Sequence, residues 1–336
     1  MYRVADKWLI ILSQPEYSST NFPSKKLTPY QLDELVESAD WHGVLPSVIK
    51  NLNKCSEDFS SGRIVDCKEH SKVFSDIMCK AMSNFRKRAA IQMLLGFQEK
   101  QINEEFKKRK IPYMVIKGTQ FATRLYESDS LRFSSDVDIL VPKKVLTDAA
   151  DVMLSLGYEP EDPDMKYSSD YGQAGWLRKK QPGGKVEVHW NLVNSPTIRQ
   201  GVSVTYEQLQ LNGNGQVSPA SILLIASVHA ATSHCFDRLG LLVDILRSVR
   251  GIAGEIDLDW LKDTVKRTGA TKLMSVAFSL TEKIFKEPLC RKLRKRMDIP
   301  YMFLENIILS PSMVMRAHCG IDLARRKLFR ELLKRR

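Results

Sequence analysis

Ile111-Pro112-Tyr113-Met114-Val115-Ile116-Lys117-Gly118-Thr119, followed shortly by Ser134-Ser135-Asp136-Val137-Asp138-Ile139-Leu140-Val141, is the stretch that decides the fold. The first run is apolar and β-prone until Lys117-Gly118-Thr119 breaks it, and Phe121, Ala122, Leu125 and Tyr126 then return at helical spacing. The reading is strand, tight turn, helix. A glycine at such a turn lets a ligand approach the backbone, and the free N–H groups at the helix start offer an anion site. In the second run Asp136 and Asp138 alternate with Val137, Ile139 and Val141, so a strand projects both acids from one face and the apolar side chains from the other. Two carboxylates a few ångströms apart repel unless a cation lies between them, which suits Mg²⁺ better than it suits stability.

Working outward, the strand ends at Pro142, and a helical pattern through Val145, Ala149, Val152, Met153 and Leu156 stops at Gly157. A Pro-, Asp- and Ser-rich loop, Tyr158 to Tyr171, precedes two β-prone arms around Gln181-Pro182-Gly183-Gly184, a hairpin signal. In the second arm, Val186-Glu187-Val188-His189-Trp190, Glu187 and His189 share a face and bring a third carboxylate to a neighbouring strand. On the N-terminal side the chain reads as helices, one of them starting at Thr28-Pro29, with Trp41, His42 and His70 isolated and expected in packing or surface roles. After Asn191 the pattern turns helical again over Pro219 to Ser233, Leu239 to Val249, Leu258 to Thr268 and Thr271 to Phe285. The expected division is a helical N-terminal region (1–104), an α/β (α+β) core with a small mixed sheet (105–205), and a C-terminal helical domain with a basic tail (206–336).

Composition is that of an ordinary folded chain, 43% hydrophobic and 27% charged over 336 residues, which argues against disorder. The six cysteines are scattered without a CxxC pair, so reduced thiols and a cytoplasmic location are expected. The first residues lack a signal-peptide pattern, and no segment approaches the length of a membrane span. Of the net charge of +12, an excess of nine comes from Lys286 onward, where fourteen basic residues face five acidic ones. Such a tail could contact RNA or another polyanion, or it could be a solvated helix face with Leu328, Phe329, Leu332 and Leu333 turned inward.

A Gly-turn at a helix start, then Asp-x-Asp on a strand, then an acid on an adjacent strand is a layout for metal-dependent phosphoryl or nucleotidyl transfer. Lys117-Gly118-Thr119, Leu131-Arg132-Phe133-Ser134-Ser135-Asp136-Val137-Asp138-Ile139-Leu140-Val141 and Val186-Glu187-Val188-His189-Trp190 resemble the DNA polymerase β-like nucleotidyltransferase superfamily. Within it they look most like a bacterial nucleotidyltransferase-like group with the pattern KG, R, DxDhLV, acid-xHW. The likeness is specific across roughly 110 to 250, where His229, His234, Arg238-Leu239 and Asp244 also fit in outline. It implies Mg²⁺ (or Mn²⁺) on Asp136, Asp138 and Glu187. An NTP, ATP in the first place, would be held by Lys117, Gly118, Thr119, Arg132 and Ser135. The superfamily's usual turn is Gly-Ser or Gly-Gly, so Thr119 is a departure that keeps the hydroxyl and adds a methyl group.

Several roles stay open at this level. Arg132 could touch phosphate or pair with an acid, and Glu187 could be a third ligand or a surface acid. His189 could orient a carboxylate, meet substrate or sit in the core, and His234 and Arg238 are candidates for the substrate cleft. His229 and His234 lack the i, i+4 spacing of a helical zinc pair. The expected activity is transfer of an NMP to a hydroxyl on a small molecule, a protein or an RNA, with release of pyrophosphate. The alternative is a non-catalytic nucleic-acid-binding or scaffold protein of the same fold.

Overall fold

The computed structural model describes residues 2–16, 22–54, 71–162, 170–178, 183–213, 216–251, 254–301, 308–316 and 320–335. Helices α1 (Val4–Leu12), α2 (Pro29–Trp41) and α3 (Leu45–Lys54) lead to the long helix α4 (Ser71–Lys108). As Thr28-Pro29 implies, α2 begins in a capping box: Thr28 Oγ1 accepts from Gln31 N–H at 3.2 Å while Gln31 Oε1 accepts from Thr28 N–H at 3.1 Å. The core then runs β1 (Met114–Val115), α5 (Gly118–Leu125), β2 (Asp136–Leu140), α6 (Leu146–Ser155), β3 (Glu159–Pro160), β4 (Gln173–Leu177) and β5 (Lys185–His189). Helix α6 ends where Gly157 takes φ +79°, the left-handed conformation that a glycine past a helix end supplies without a Cβ penalty.

The five strands form one mixed sheet in the order β1-β2-β5-β4-β3, as expected of a small nucleotidyltransferase core. Among the described residues β2 and β5 are its one parallel pair, and their register places Asp138 against Glu187 and Leu140 against His189. Strands β4 and β5 pair antiparallel as the hairpin signal implies, although Gln181 and Pro182 of the turn lie outside the described residues. The loop expected over Tyr158 to Tyr171 likewise falls partly outside them, as do His70 and Asn214-Gly215.

One sheet face is apolar. Val137, Ile139, Val141, Val186 and Val188 pack on α6 and on Leu95, Ile102 and Phe106 of α4. The opposite face carries the charged residues, and this division follows from strand alternation in both β2 and β5. Gln98 of α4, fully buried, fastens the hairpin: its amide donates to Tyr158 Oη and Gly184 O and accepts from Gly184 N–H at 2.7 Å.

The C-terminal half comprises α7 (Pro196–Arg199), α8 (Pro219–Thr232), α9 (Leu239–Gly251), α10 (Leu258–Arg267), α11 (Thr271–Phe285), α12 (Pro288–Arg296), α13 (Pro311–Met315) and α14 (Gly320–Leu333). Its residues Leu223, Leu246, Phe278 and Met313 share one core with Trp8, Leu35 and Leu45 from the other end of the chain. Helix α4 contributes Ile77 and Ala81 to that core and its last turns to the sheet's core, so it runs across the position, 104, at which the sequence pattern changes.

Candidate active site

Asp136 and Asp138 leave the same face of β2, and the β2–β5 register brings Glu187 beside Asp138 and His189 one pleat further on. Asp138, 2% exposed, is the centre of the cluster. Its Oδ1 lies 2.8 Å from Lys117 Nζ and 2.9 Å from His189 Nε2. Burial opposes the Asp138 charge, but Lys117 and His189 outweigh it and hold the carboxyl well below the usual carboxylate range. Asp136 moves the other way: burial, then the nearby Asp138 charge, push its pKa up to about 6. Two carboxylates on one face are thereby driven apart in acidity by what each touches.

Glu187 sits 3.6 Å from His189 Nε2 and accepts an ion pair from Lys185 Nζ at 2.9 Å. Lys185 also reaches Glu161 at 2.8 Å; burial works against its charge, but the two carboxylates hold its pKa above the usual lysine range. Gly175, opposite Glu187 on β4, makes room for this: a Cβ there would lie 2.2 Å from Glu161 Oε2.

The turn before α5 is bound to the scaffold in unexpected ways. Gly118 has φ +53°, and its Cα packs under the strand approach, where a Cβ would lie 3.4 Å from Ser134 Oγ. Arg132 clamps this arrangement. Its guanidinium donates to Gly118 O at 3.2 Å and Ser134 Oγ at 3.0 Å, and forms a buried two-oxygen pair with Asp244 of α9 at 3.0 to 3.2 Å. Tyr126 Oη donates to the same Asp244 at 2.7 Å. Of the two roles open to Arg132, the structure places it in the pairing with an acid. Thr119 donates its hydroxyl to Glu99 of α4, whose carboxyl burial pushes up.

A cavity of about 750 Å³ opens over the acids. Lys117, Ser135, Asp136, Glu187 and His189 line one wall, and His229, His234 and Arg238 line another, whereas Gly118, Thr119 and Arg132 do not border it. His229 Nδ1 lies 3.5 Å from Lys117 Nζ; burial, then that lysine, keep the imidazole pKa well below its ordinary value and hence neutral. The rings of His229 and His234 meet edge to face at 4.9 Å between centroids. Sequence reasoning noted His229 only in outline, and it missed Glu99 and the lining residues Lys327 and Arg330 of α14 and Lys334 just past it.

Asp138, Glu187 and His189 each present a ligand atom within 4.8 Å of the others, an arrangement that could hold a metal ion. The buried Nδ1 of His189 has no hydrogen-bond partner among the described residues. Two carboxylates with one imidazole form a donor set that accords with a divalent ion.

The family model described as uncharacterised nucleotidyltransferase matches residues 28–286. The chain belongs to this family. This nucleotidyltransferase is thus a transferase whose matched region takes in the sheet, the acids and the helices facing them. No curated protein and no solved structure matches it. Among the described residues no helix is long and apolar enough to cross a membrane.

Proposed function

We propose that the enzyme moves a nucleoside monophosphate, AMP in the first place, from an NTP to a hydroxyl acceptor and releases pyrophosphate. The observation that supports this reading is the register of β2 and β5, which sets Asp136 and Glu187 on the cleft lining with Asp138 buried beside them. Asp136, Asp138 and Glu187 would hold Mg²⁺ or Mn²⁺, with His189 beside them. A divalent ion supplies Lewis-acid stabilisation of phosphate oxygens and lowers the pKa of an attacking hydroxyl. Lys117, at the N-cap of α5, offers its ammonium to a phosphate while neutralising Asp138, and Ser135 adds a hydroxyl at the rim. Gly118 and Thr119, the other expected phosphate ligands of this turn, do not border the cavity and the Thr119 hydroxyl is engaged by Glu99, so the grip at this turn rests on Lys117. Glu187 would complete the site and help to activate the acceptor hydroxyl.

The acceptor is a small molecule, a protein side chain or an RNA end, and the scattered cysteines suit a reducing cytoplasm. Incubation with α-labelled and γ-labelled ATP separates nucleotidyl from phosphoryl transfer: label retained only from the α position is expected. Titration of Mg²⁺ and ATP against wild type and the Asp136→Asn/Asp138→Asn variant is expected to show binding by the former alone. Equal binding by both proteins would sink the reading and favour a non-catalytic protein.

A further inference from the structure

The basic tail does not trail away from the enzyme. Its last helix, α14, packs Phe329 and Leu333 into the main core, and Arg326 donates to Cys235 O and Met313 O at 2.8 Å each. Phe329 meets Phe236 with ring centroids 6.0 Å apart. Gly201 allows the closest approach, since a Cβ there would lie 2.0 Å from Leu333 O. The helix is therefore fixed in place. Three of the four leucine and phenylalanine positions expected to turn inward do so, and Leu328 remains 50% exposed.

With the apolar stripe committed to the core, the adjacent stripe faces the cleft. Lys327, Arg330, Glu331 and Lys334, at i, i+3, i+4 and i+7, all line the cavity that the acids floor, and Arg238 joins them from the start of α9. Lys327 has no hydrogen bond or ion pair among the described residues. Arg330 is steadied by Cys235 Sγ and Ser233 O, and Lys334 pairs with Glu331 at 2.7 Å. Arg238 stacks its guanidinium 5.2 Å from the Trp41 ring centre. Four cations thus share this wall with one acid, Glu331, while Asp136 and Glu187 lie on the wall opposite. Such a wall is electrostatically frustrated when empty and is relieved by an anion.

A second observation points the same way. The Thr119 hydroxyl is spent on Glu99, and neither Gly118 nor Thr119 borders the cavity. The turn offers little positive charge beyond Lys117.

We infer that Lys327 and Arg330 of α14 and Lys334 just past its end, together with Arg238, form a phosphate-binding wall of the active-site cleft. The phosphate it holds belongs either to the outer end of the bound NTP or to a phosphorylated acceptor. The inference rests on the nucleotidyl-transfer reading for its meaning, but its test does not, because it is run without metal.

Pyrophosphate is titrated into the full chain in EDTA at low salt, where the acids hold no divalent ion. Saturable binding by wild type is expected, weakened at least tenfold in Lys327→Ala/Lys334→Ala. No saturable binding by wild type, or equal affinity in the double variant, overturns the wall. Thermal melts confirm folding, and if the double variant is unfolded, the single charge reversal Lys327→Glu is read by the same criterion. Mg²⁺-ATP and AMP titrations then identify the source. A tenfold loss for ATP with AMP unchanged assigns the wall to the nucleotide, and unchanged ATP binding assigns it to the acceptor. Loss of Mg²⁺-ATP binding in Asp138→Asn is a separate result that bears only on the catalytic reading.

Discussion

Replacing Asp244 by alanine tests the clamp that holds the phosphate turn. The change removes both oxygens that Arg132 engages and the acceptor of the Tyr126 hydroxyl, with the two charged side chains only 13% and 6% exposed. A buried ion left without its partner costs about 3–5 kcal/mol, and an orphaned buried hydroxyl about 1–3 kcal/mol more before relaxation. Part of the second cost disappears if Tyr126 turns to another acceptor, so about 4 kcal/mol is the expected total for Asp244→Ala. Arg132→Met should cost somewhat less, about 3 kcal/mol, because Tyr126 still donates to the abandoned carboxylate. In Arg132→Met/Asp244→Leu no buried charge is left unpaired, and the loss should fall to about 1–2 kcal/mol, below either single change. Urea unfolding followed by both tryptophan fluorescence and circular dichroism gives the four free energies, provided the two probes coincide. Single losses that add in the double variant would refute a coupled pair, and losses below about 1 kcal/mol would mean that the pair is solvated.

Three further outcomes are expected. Burial holds the pKa of His42 down at about 4, and its Nδ1 accepts from Leu239 N–H at 3.1 Å at the join between α2 and α9. The unfolded chain therefore takes up a proton that the folded one refuses, so stability is complete above pH 6.5 and declines by about 3 kcal/mol as pH falls toward 4. A pH series of urea melts that shows no more decline in wild type than in His42→Gln would contradict this. Since Asp136 titrates near 6, apparent Mg²⁺ affinity should be flat above about pH 7 and weaken by up to tenfold per unit below 6, a trend that calorimetry should find missing in Asp136→Asn. Gly201→Ala drives a methyl group into the Leu333 carbonyl and should cost about 1–3 kcal/mol, read as a lowered melting temperature. An unchanged melt would show that α14 yields easily.

The strand carrying Asp136 and Asp138 was legible because alternation in a short apolar run has one meaning once one face is buried. Glu187 was legible for the same reason, and its nearness to Asp138 followed only from pairing β2 with β5, which no local pattern dictates. The sequence likewise told that a helix starts at Thr28-Pro29 and that another covers Pro219 to Ser233 without telling that Leu35 of the first and Leu223 of the second share one core. Lys327, Arg330 and Lys334 escaped notice because a cationic stripe beside an apolar one reads identically whether it meets water or a cleft. Glu99 was hidden inside a long helix, where nothing in its neighbours signals that Thr119 will arrive beside it.

Because Trp8, Leu35 and Leu45 share their core with Leu223, Phe278 and Met313, the two ends of the described chain complete each other. During synthesis the early helices emerge long before the residues that cover them, and their apolar faces wait exposed to solvent or to chaperones. Refolding should accordingly be slow, since the main core closes only through contacts separated by some two hundred residues and more. The sheet and α6, whose partners in α4 immediately precede them, are free to assemble earlier, so the catalytic floor can form before the helices that roof it.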